Sequence, residues 1–276
     1  MKVASVQTAP RLNDVEHNLD GICHSIHGLA RAGVQLAVFP ELATTGYMFS
    51  SRDEAEAVAE RVHDGPTVRA VAEACRSTGM HVVLGMVERD GDQLFNSSVL
   101  VGPTGHLGTY RKLHLWDQEN TIFTPGDRGL PVFRTPIGVV GMLICYDLWF
   151  PEAVRTLALA GAELVAVPTN WVPLPAGNGA NDQAMANVLC MANAHTNGLP
   201  IVAADRCGTE RDQLFLGRSL VVDHTGWPIA GPGSATSEEV LIAQLDLEII
   251  PSARRWNTFN DPLANRRSDS YVMPPP

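Results

Sequence analysis

One thiol stands out by its setting. In Val139-Val140-Gly141-Met142-Leu143-Ile144-Cys145-Tyr146-Asp147-Leu148-Trp149-Phe150-Pro151-Glu152, an apolar run stops at Cys145, turns through polar and aromatic residues, and opens a helix near Pro151. Proline suits a first helical position, because its missing N–H would have no intrahelical partner. Ala153, Val154, Leu157 and Ala158 continue with helical spacing, and Gly161 is a stop signal. Residues 163–168 then predict a buried strand, which places Cys145 at the strand-to-helix corner of a β-α-β unit. Open α/β sheets bind ligands at the carboxyl ends of their strands. A thiol there, beside a helix N-terminus, is well placed to act as a nucleophilic thiolate. The competing reading is a buried structural cysteine. Two more stretches bring charge to strand ends. In Val34-Gln35-Leu36-Ala37-Val38-Phe39-Pro40-Glu41 an apolar strand ends in a carboxylate, on the same edge as Cys145 if the strands run parallel. Pro40 cannot continue sheet pairing through its nitrogen and biases Phe39 toward extended backbone. Gly108-Thr109-Tyr110-Arg111-Lys112-Leu113-His114-Leu115 sets two adjacent cations at the end of another strand. Taken singly, Glu41 also reads as a helix cap or solvent-facing acid, and the Arg111-Lys112 pair as an ordinary charged strand end.

The elements that must hold these residues alternate along the chain. The opening strand at Val3 is followed by Val15, Leu19, Ile22, Ile26 and Leu29 on one face of an amphipathic helix. Residues 66–79 predict a second helix, with Val68, Val71, Ala72 and Cys75 facing inward. Residues 81–87 and 94–101 predict strands joined by a turn at Asp90-Gly91. After Cys145 the series repeats: helix, strand, a long helix over about 181–196, and a strand over 199–204. Residues 219–223 and 240–245 then read as a hairpin-like pair, with Thr225-Gly226-Trp227-Pro228 as a turn. This doubling predicts two sheets, each covered by helices on one side. No low-complexity linker interrupts the chain, so residues 1–276 read as a single domain, with 272–276 as a loose tail.

In this order and setting, the three stretches resemble the nitrilase, or carbon–nitrogen hydrolase, superfamily. The resemblance rests on Phe39-Pro40-Glu41-Leu42 with Thr45-Gly46-Tyr47, on Tyr110-Arg111-Lys112-Leu113-His114-Leu115, and on Cys145-Tyr146-Asp147 with Phe150-Pro151-Glu152. Phe123-Thr124-Pro125-Gly126-Asp127, Gly161-Ala162-Glu163 and Ala203-Ala204-Asp205-Arg206 extend it across nearly the whole chain. It implies an α/β fold of the four-layer αββα sandwich type and a catalytic triad of Glu41, Lys112 and Cys145. In that triad the carboxylate moves protons between thiol, leaving amine and water. The ammonium, helped by the Tyr146 backbone N–H, stabilises the oxyanion. The resemblance also implies a second glutamate after the lysine; Glu119 is the candidate and Asp117 the competing position, with a plain solvated loop carboxylate as the other reading. Asn170 and Trp171, in Thr169-Asn170-Trp171-Val172-Pro173, either shape the pocket beside Tyr146 or form a turn around one packed tryptophan. His114 either lines the pocket or supports the lysine loop.

Composition narrows the remaining classes. The 276 residues are 45% hydrophobic, enough for a large core, and the net charge of −10 disfavours nucleic-acid and anionic-membrane partners. No apolar stretch is long enough to span a bilayer, and the N-terminus lacks a signal-peptide pattern. Five scattered cysteines argue against a disulfide framework and fit a cytoplasmic, reducing location. Cys23, Cys75 and Cys190 fall in helical patterns, while Cys207 lies in a loop with a structural role favoured over a reactive one. His24 and His27 read as solvent-facing. The nine histidines show no metal-ligand spacing, so no metal and no cofactor are expected. Gly177-Asn178-Gly179 is too short to mark a phosphate loop.

The reaction class expected from the resemblance is hydrolysis of a non-peptide C–N bond, most simply a small neutral carboxylic amide, through a cysteine thioester. A nitrile or N-carbamoyl compound is the alternative substrate, and a silent scaffold the non-enzymatic one. Tyr146-Asp147 after the cysteine looks amidase-like, where many true nitrilases carry Trp-Glu. With no cation at Tyr146, Asp147, Leu148 or Trp149, a substrate carboxylate would be desolvated without compensation, unless Arg206, Arg211 or Arg218 enters from a later loop. The resemblance further implies a homodimer or higher homo-oligomer, with 247–276 as a docking segment anchored by Ile249, Ile250, Trp256 and Phe259.

Overall fold

The computed structural model describes residues 1–174 and 184–271. The Gly177-Asn178-Gly179 stretch, residues 181–183 of the expected long helix and the 272–276 tail lie outside the described residues.

Two six-stranded sheets face each other. The first is built from β1 (Lys2–Gln7), β2 (Leu36–Val38), β3 (His81–Asp90), β4 (Gln93–Gly102), β5 (Gly105–Arg111) and β14 (Glu239–Gln244), in the order β14-β1-β2-β3-β4-β5. The second is built from β6 (Val132–Thr135), β7 (Gly138–Met142), β8 (Leu164–Thr169), β9 (Ile201–Asp205), β12 (Leu220–Val222) and β13 (Pro228–Ala230), in the order β13-β12-β9-β8-β7-β6. β10 (Thr209–Glu210) and β11 (Gln213–Leu214) form a separate small ribbon. Each large sheet has three parallel strands at its centre, β1-β2-β3 and β7-β8-β9, with antiparallel strands outside. The parallel strands are mostly apolar along their length because both of their faces are covered.

Helices α1 (Val15–Arg31) and α3 (Pro66–Thr78) lay Ile22, Ile26, Leu29, Val68, Val71 and Cys75 against the first sheet. Helices α5 (Pro151–Leu159) and α6 (Met185–Asn197) cover the second sheet with Val154, Leu157, Cys190 and Ala194. Between the sheets Val3, Val38 and Val83 share one apolar core with Met142, Val165 and Val202. The Ser5 hydroxyl crosses the gap to donate to the Ala203 carbonyl at 2.7 Å. The fold is therefore the four-layer αββα sandwich.

Two expectations need correction, and several short elements escape a sequence reading. Glu41 and Cys145 do not share a sheet: β2 belongs to the first and β7 to the second, so the site forms at their seam. The hairpin between 219–223 and 240–245 does not exist. The Gly226 turn, with Asp223 N–H donating to the Trp227 carbonyl at 3.0 Å, returns the chain directly into β13, while β14 pairs with β1 in the other sheet. Finally, α2 (Arg52–Ala57), α4 (Glu119–Ile122) and β6 carry too little apolar periodicity to be read from sequence; α7 (Ile250–Ala253) is a single short turn.

Candidate active site

The second sheet supplies the thiol. Beyond β7 the chain enters a 3₁₀ turn over Cys145–Trp149, six residues before α5 begins, and Cys145 itself sits at φ +47°. A non-glycine residue in this left-handed region is strained and persists only where its surroundings hold it. Cys145 is 8% exposed. Burial pushes its thiol well above the ordinary value and the Glu41 charge adds to this, against Lys112, the Thr169 hydroxyl and the Asn170 N–H, which favour the thiolate. The resting sulfur is therefore protonated near neutrality and needs a base to ionise.

The first sheet supplies a carboxylate and a cation. After β2 the chain turns sharply at Pro40-Glu41-Leu42, with Leu42 at φ +48°. Gly85 of β3 is what admits this turn: a Cβ there would lie 2.3 Å from the Leu42 nitrogen and 2.6 Å from the Glu41 Cα. The Gly85 N–H donates to the Pro40 carbonyl at 3.1 Å, and Asn170 Nδ2 to the Glu41 carbonyl at 2.9 Å, tying the second sheet to this turn. Lys112, just past β5, is fixed by its N–H to the Asn96 carbonyl at 2.9 Å. Its ammonium donates to Glu41 Oε1 at 2.7 Å and Glu119 Oε1 at 2.8 Å, with all three side chains buried. Asn96 Nδ2 bridges the same two oxygens at 2.7 and 3.2 Å. Glu119 Oε2 accepts the Trp116 N–H at 2.8 Å. Glu41 Oε2 takes no hydrogen bond among the described residues.

Burial lifts the Glu41 carboxyl to about 7, with the Glu119 charge adding to the rise and Lys112 opposing it. Lys112 is pulled down by burial but held above its ordinary value by Glu119 and Glu41. A cluster of this kind can exchange a proton with a thiol near neutrality while keeping one fixed positive charge.

Around the thiol, Trp116, Tyr146, Trp149, Asn170 and Trp171 line a narrow cleft. Trp116 meets Tyr146 edge-on at 4.9 Å, and Tyr146 meets Trp149 at 5.9 Å. A second, roomier and more polar cleft shares Trp116 and adds Tyr47, Asp117 and Glu119.

The structure brings Glu41, Lys112, Glu119 and Cys145 within electrostatic reach of one another and sets Tyr146, Asn170 and Trp171 at the cleft. Between the two acids of the lysine loop, Glu119 is the buried one and Asp117 the exposed one. His114 supports the loop, bonding Asp147 and stacking on Phe150. Of the later arginines, Arg206 pairs with Glu210 at 2.5 Å and Arg211 with Glu54 at 2.5 Å. Cys207 is buried. Among the described residues no group of His, Cys, Asp and Glu could hold a metal ion, and no helix is long and apolar enough to cross a membrane.

Three contributors escape sequence reasoning: Asn96, Thr169 and the Tyr47 phenol, which lies against Glu119.

Known proteins resemble this chain in sequence and fold. The carbon–nitrogen hydrolase family pattern matches residues 2–255. A nitrilase of Pyrococcus abyssi is 38% identical over 271 residues, covering 98% of this chain and 99% of that protein. An (R)-stereoselective amidase of a Pseudomonas species is 38% identical over 256 residues, covering 92% and 88%. A mutant of the amidase from Nesterenkonia sp. AN1, in which acrylamide has added to the active-site cysteine, superposes with a TM-score of 0.79. Its sequence is 27% identical, and the match covers 98% of this chain and 97% of that one. The chain belongs to the carbon–nitrogen hydrolase family.

Proposed function

We propose that this carbon–nitrogen hydrolase cleaves a small neutral carboxylic amide to acid and ammonia, with Cys145 as nucleophile, Glu41 as proton carrier and Lys112 as oxyanion partner. The observation that carries this reading is the free oxygen of Glu41. It belongs to a carboxyl raised to about 7, held by Lys112, within electrostatic reach of a protonated thiol.

In the first half-reaction Glu41 takes the thiol proton as sulfur bonds to the carbonyl carbon. The developing oxyanion is held by Lys112 Nζ and the Tyr146 N–H. Collapse breaks the C–N bond, Glu41 returns the proton to nitrogen, and ammonia leaves a thioester. Water then donates a proton to Glu41 as its oxygen attacks the thioester carbon. The second collapse breaks the C–S bond, the proton passes to sulfur, and the acid departs. Glu119, sharing Lys112 with Glu41, orients the cation and borders the substrate amide. Tyr146, Asn170 and Trp171 position the acyl group.

Arg206 and Arg211 are committed to Glu210 and Glu54, so neither is spare for a substrate carboxylate; that favours a neutral acyl portion. The aromatic walls fit an aliphatic or aromatic group. Two measurements test the reading. Cys145→Ala abolishes ammonia release while the fold is kept, and iodoacetamide labels Cys145 ahead of the buried Cys207. Among a neutral amide, its matching nitrile and an N-carbamoyl amino acid, kcat/KM is highest for the amide. A nitrile winning makes the enzyme a nitrilase, and a carbamoyl compound winning refutes the pocket argument.

Assembly belongs to the same proposal. Met185, Val188, Trp227, Trp256 and Phe259 are exposed, and Phe259 is 84% so. The docking segment lies on its own chain through Arg254 to the Ala162 carbonyl, Arg155 to the Pro262 carbonyl and Trp256 stacked on His195. We propose that a second copy covers this face; light scattering showing a monomer at micromolar concentration overturns it. Five free cysteines fit the proposed cytoplasmic location.

A further inference from the structure

Asp147 follows the thiol by two residues, is fully buried, and has both carboxylate oxygens taken. Oδ2 accepts the Ile144 N–H at 2.9 Å and the Tyr110 hydroxyl at 2.7 Å. Oδ1 accepts the His114 N–H at 3.1 Å and lies 2.7 Å from His114 Nδ1, which therefore carries the proton, since a carboxylate donates nothing. The Asp147 N–H in turn donates to the Ile144 carbonyl at 3.0 Å. Both the N–H and the carbonyl of Ile144, immediately before the strained Cys145, are thus held by the residue two positions after it.

The other ends of these bonds matter more. Tyr110 and His114 stand two residues before and two after Lys112, and the Tyr110 oxygen also accepts the Leu113 N–H at 3.3 Å. Cys145 belongs to the second sheet and Lys112 to the first, so nothing within either sheet fixes their separation. One buried carboxylate joins the turn that carries the sulfur to the loop that carries the ammonium.

We propose that Asp147 is a positioning residue that sets the Cys145–Lys112 geometry by anchoring the thiol turn to the lysine loop across the seam of the two sheets. Tyr110 and His114 are its partners in that role. The His114 ring also stacks on Phe150 at 3.5 Å, and Phe150 meets Tyr146 edge-on at 5.2 Å, which extends the same anchor to the wall of the cleft.

The proposal rests on Cys145 being the nucleophile, and its test separates the two ideas. Folded protein is isolated by size-exclusion chromatography and counted by the amplitude of its urea-unfolding transition, and kcat is expressed per folded site, so misfolded protein drops out. Asp147→Asn keeps the shape but turns one acceptor oxygen into a donor. It lowers kcat per site about 100-fold, the cost of a small misplacement of reacting groups, with KM changed only a few-fold. Tyr110→Phe lowers kcat per site about 10-fold, and adding it to Asp147→Asn costs little more, because both break one network. Should Asp147→Asn fail to fold, Tyr110→Phe and His114→Gln carry the test. Wild-type kcat per site in the folded variants, or losses that simply add, overturns the positioning role. Amide turnover that survives alkylation of Cys145 in the wild type overturns the nucleophile instead.

Discussion

Arg111 and Lys112 are neighbours at the end of one strand, and they build two different charge clusters on its opposite faces. Arg111 is 2% exposed and gives Nε and Nη2 to the two oxygens of Glu88, Nη2 again to Asp90 at 2.6 Å, and Nη1 to Asp127 at 3.0 Å. Its guanidinium lies 3.7 Å over the Phe95 ring, and Ser97 adds a further bond to Glu88. Both Glu88 oxygens are used. Lys112 has only Glu41 and Glu119, and Glu41 keeps one oxygen without a hydrogen bond among the described residues. A planar fork suits a saturated lattice, whereas a point charge on a flexible stem suits a site where partners change during reaction. Arg128 joins the Arg111 cluster at 3.8 Å from Glu88 and Asp90, so that cluster sets two cations among three carboxylates, whereas Lys112 pairs with Glu41 and Glu119. What distinguishes the Lys112 cluster is an uncommitted acceptor beside a thiol and a cleft.

The largest expected contrast is therefore between the two glutamates. Glu41→Gln leaves Lys112 paired with Glu119 and the fold intact, but removes the proposed proton carrier. kcat falls by about 10²–10⁴-fold, the usual worth of a positioned acid–base group. Glu88→Gln does the reverse: it breaks a buried pair and costs about 3 kcal/mol or more of stability, while kcat per folded molecule stays within a few-fold. Steady-state kinetics beside urea unfolding read both. An inactive but stable Glu88→Gln would erase the distinction.

The pH dependence sharpens it. In the proposed mechanism Glu41 acts as a base only when ionised, and burial raises its carboxyl to about 7. On the acid side it is protonated, so kcat/KM falls about tenfold per pH unit below that value and levels off above it. Lys112, held above its ordinary value by the two glutamates against the pull of burial, keeps its charge through the alkaline range. The acid limb is absent from the residual activity of Glu41→Gln. A limb that persists there assigns the titration to another group.

The local part of this site is legible in sequence because each piece is a short strand-like run that ends on a reactive type: Val38 then Glu41, Thr109 then Lys112, Ile144 then Cys145. What sequence withholds is which sheet each run joins, because strand order depends on pairing between distant residues. Asn96 reaches Glu41 across 55 residues and Asn170 reaches the Glu41 carbonyl across 129; no local pattern records either. The choice between Asp117 and Glu119 depends on a backbone turn, with Asp117 at φ +46° and α4 starting at Glu119 to bring its carboxylate inward. The mistaken hairpin has the same origin. Alternation identifies residues 240–245 as strand, but only the Gly226 turn shows that β12 has already found β13.

The smallest effect is expected at the rim of the Arg111 cluster. Asp127 accepts two bonds from Arg111 Nη1, at 3.0 and 3.2 Å, yet its side chain is 56% exposed. Water already solvates that carboxylate, and Arg111 retains Glu88 after its removal. Asp127→Asn keeps an acceptor oxygen in place and is expected to cost only about 0.2–1 kcal/mol, the range for exposed ion pairs. The loss should shrink further in 1 M salt, where charges are screened within about 3 Å. Urea unfolding of the wild type and the variant at low and high salt measures it, with kcat unchanged. The Phe123-Thr124-Pro125-Gly126-Asp127 stretch offers a competing expectation, because Gly126 packs directly on the Arg111 backbone and its N–H donates to the Lys112 carbonyl at 2.8 Å. If Asp127 instead locks that stretch against the lysine loop, the variant loses activity together with stability and salt has no effect. That outcome would show that the two faces of the strand end are mechanically coupled.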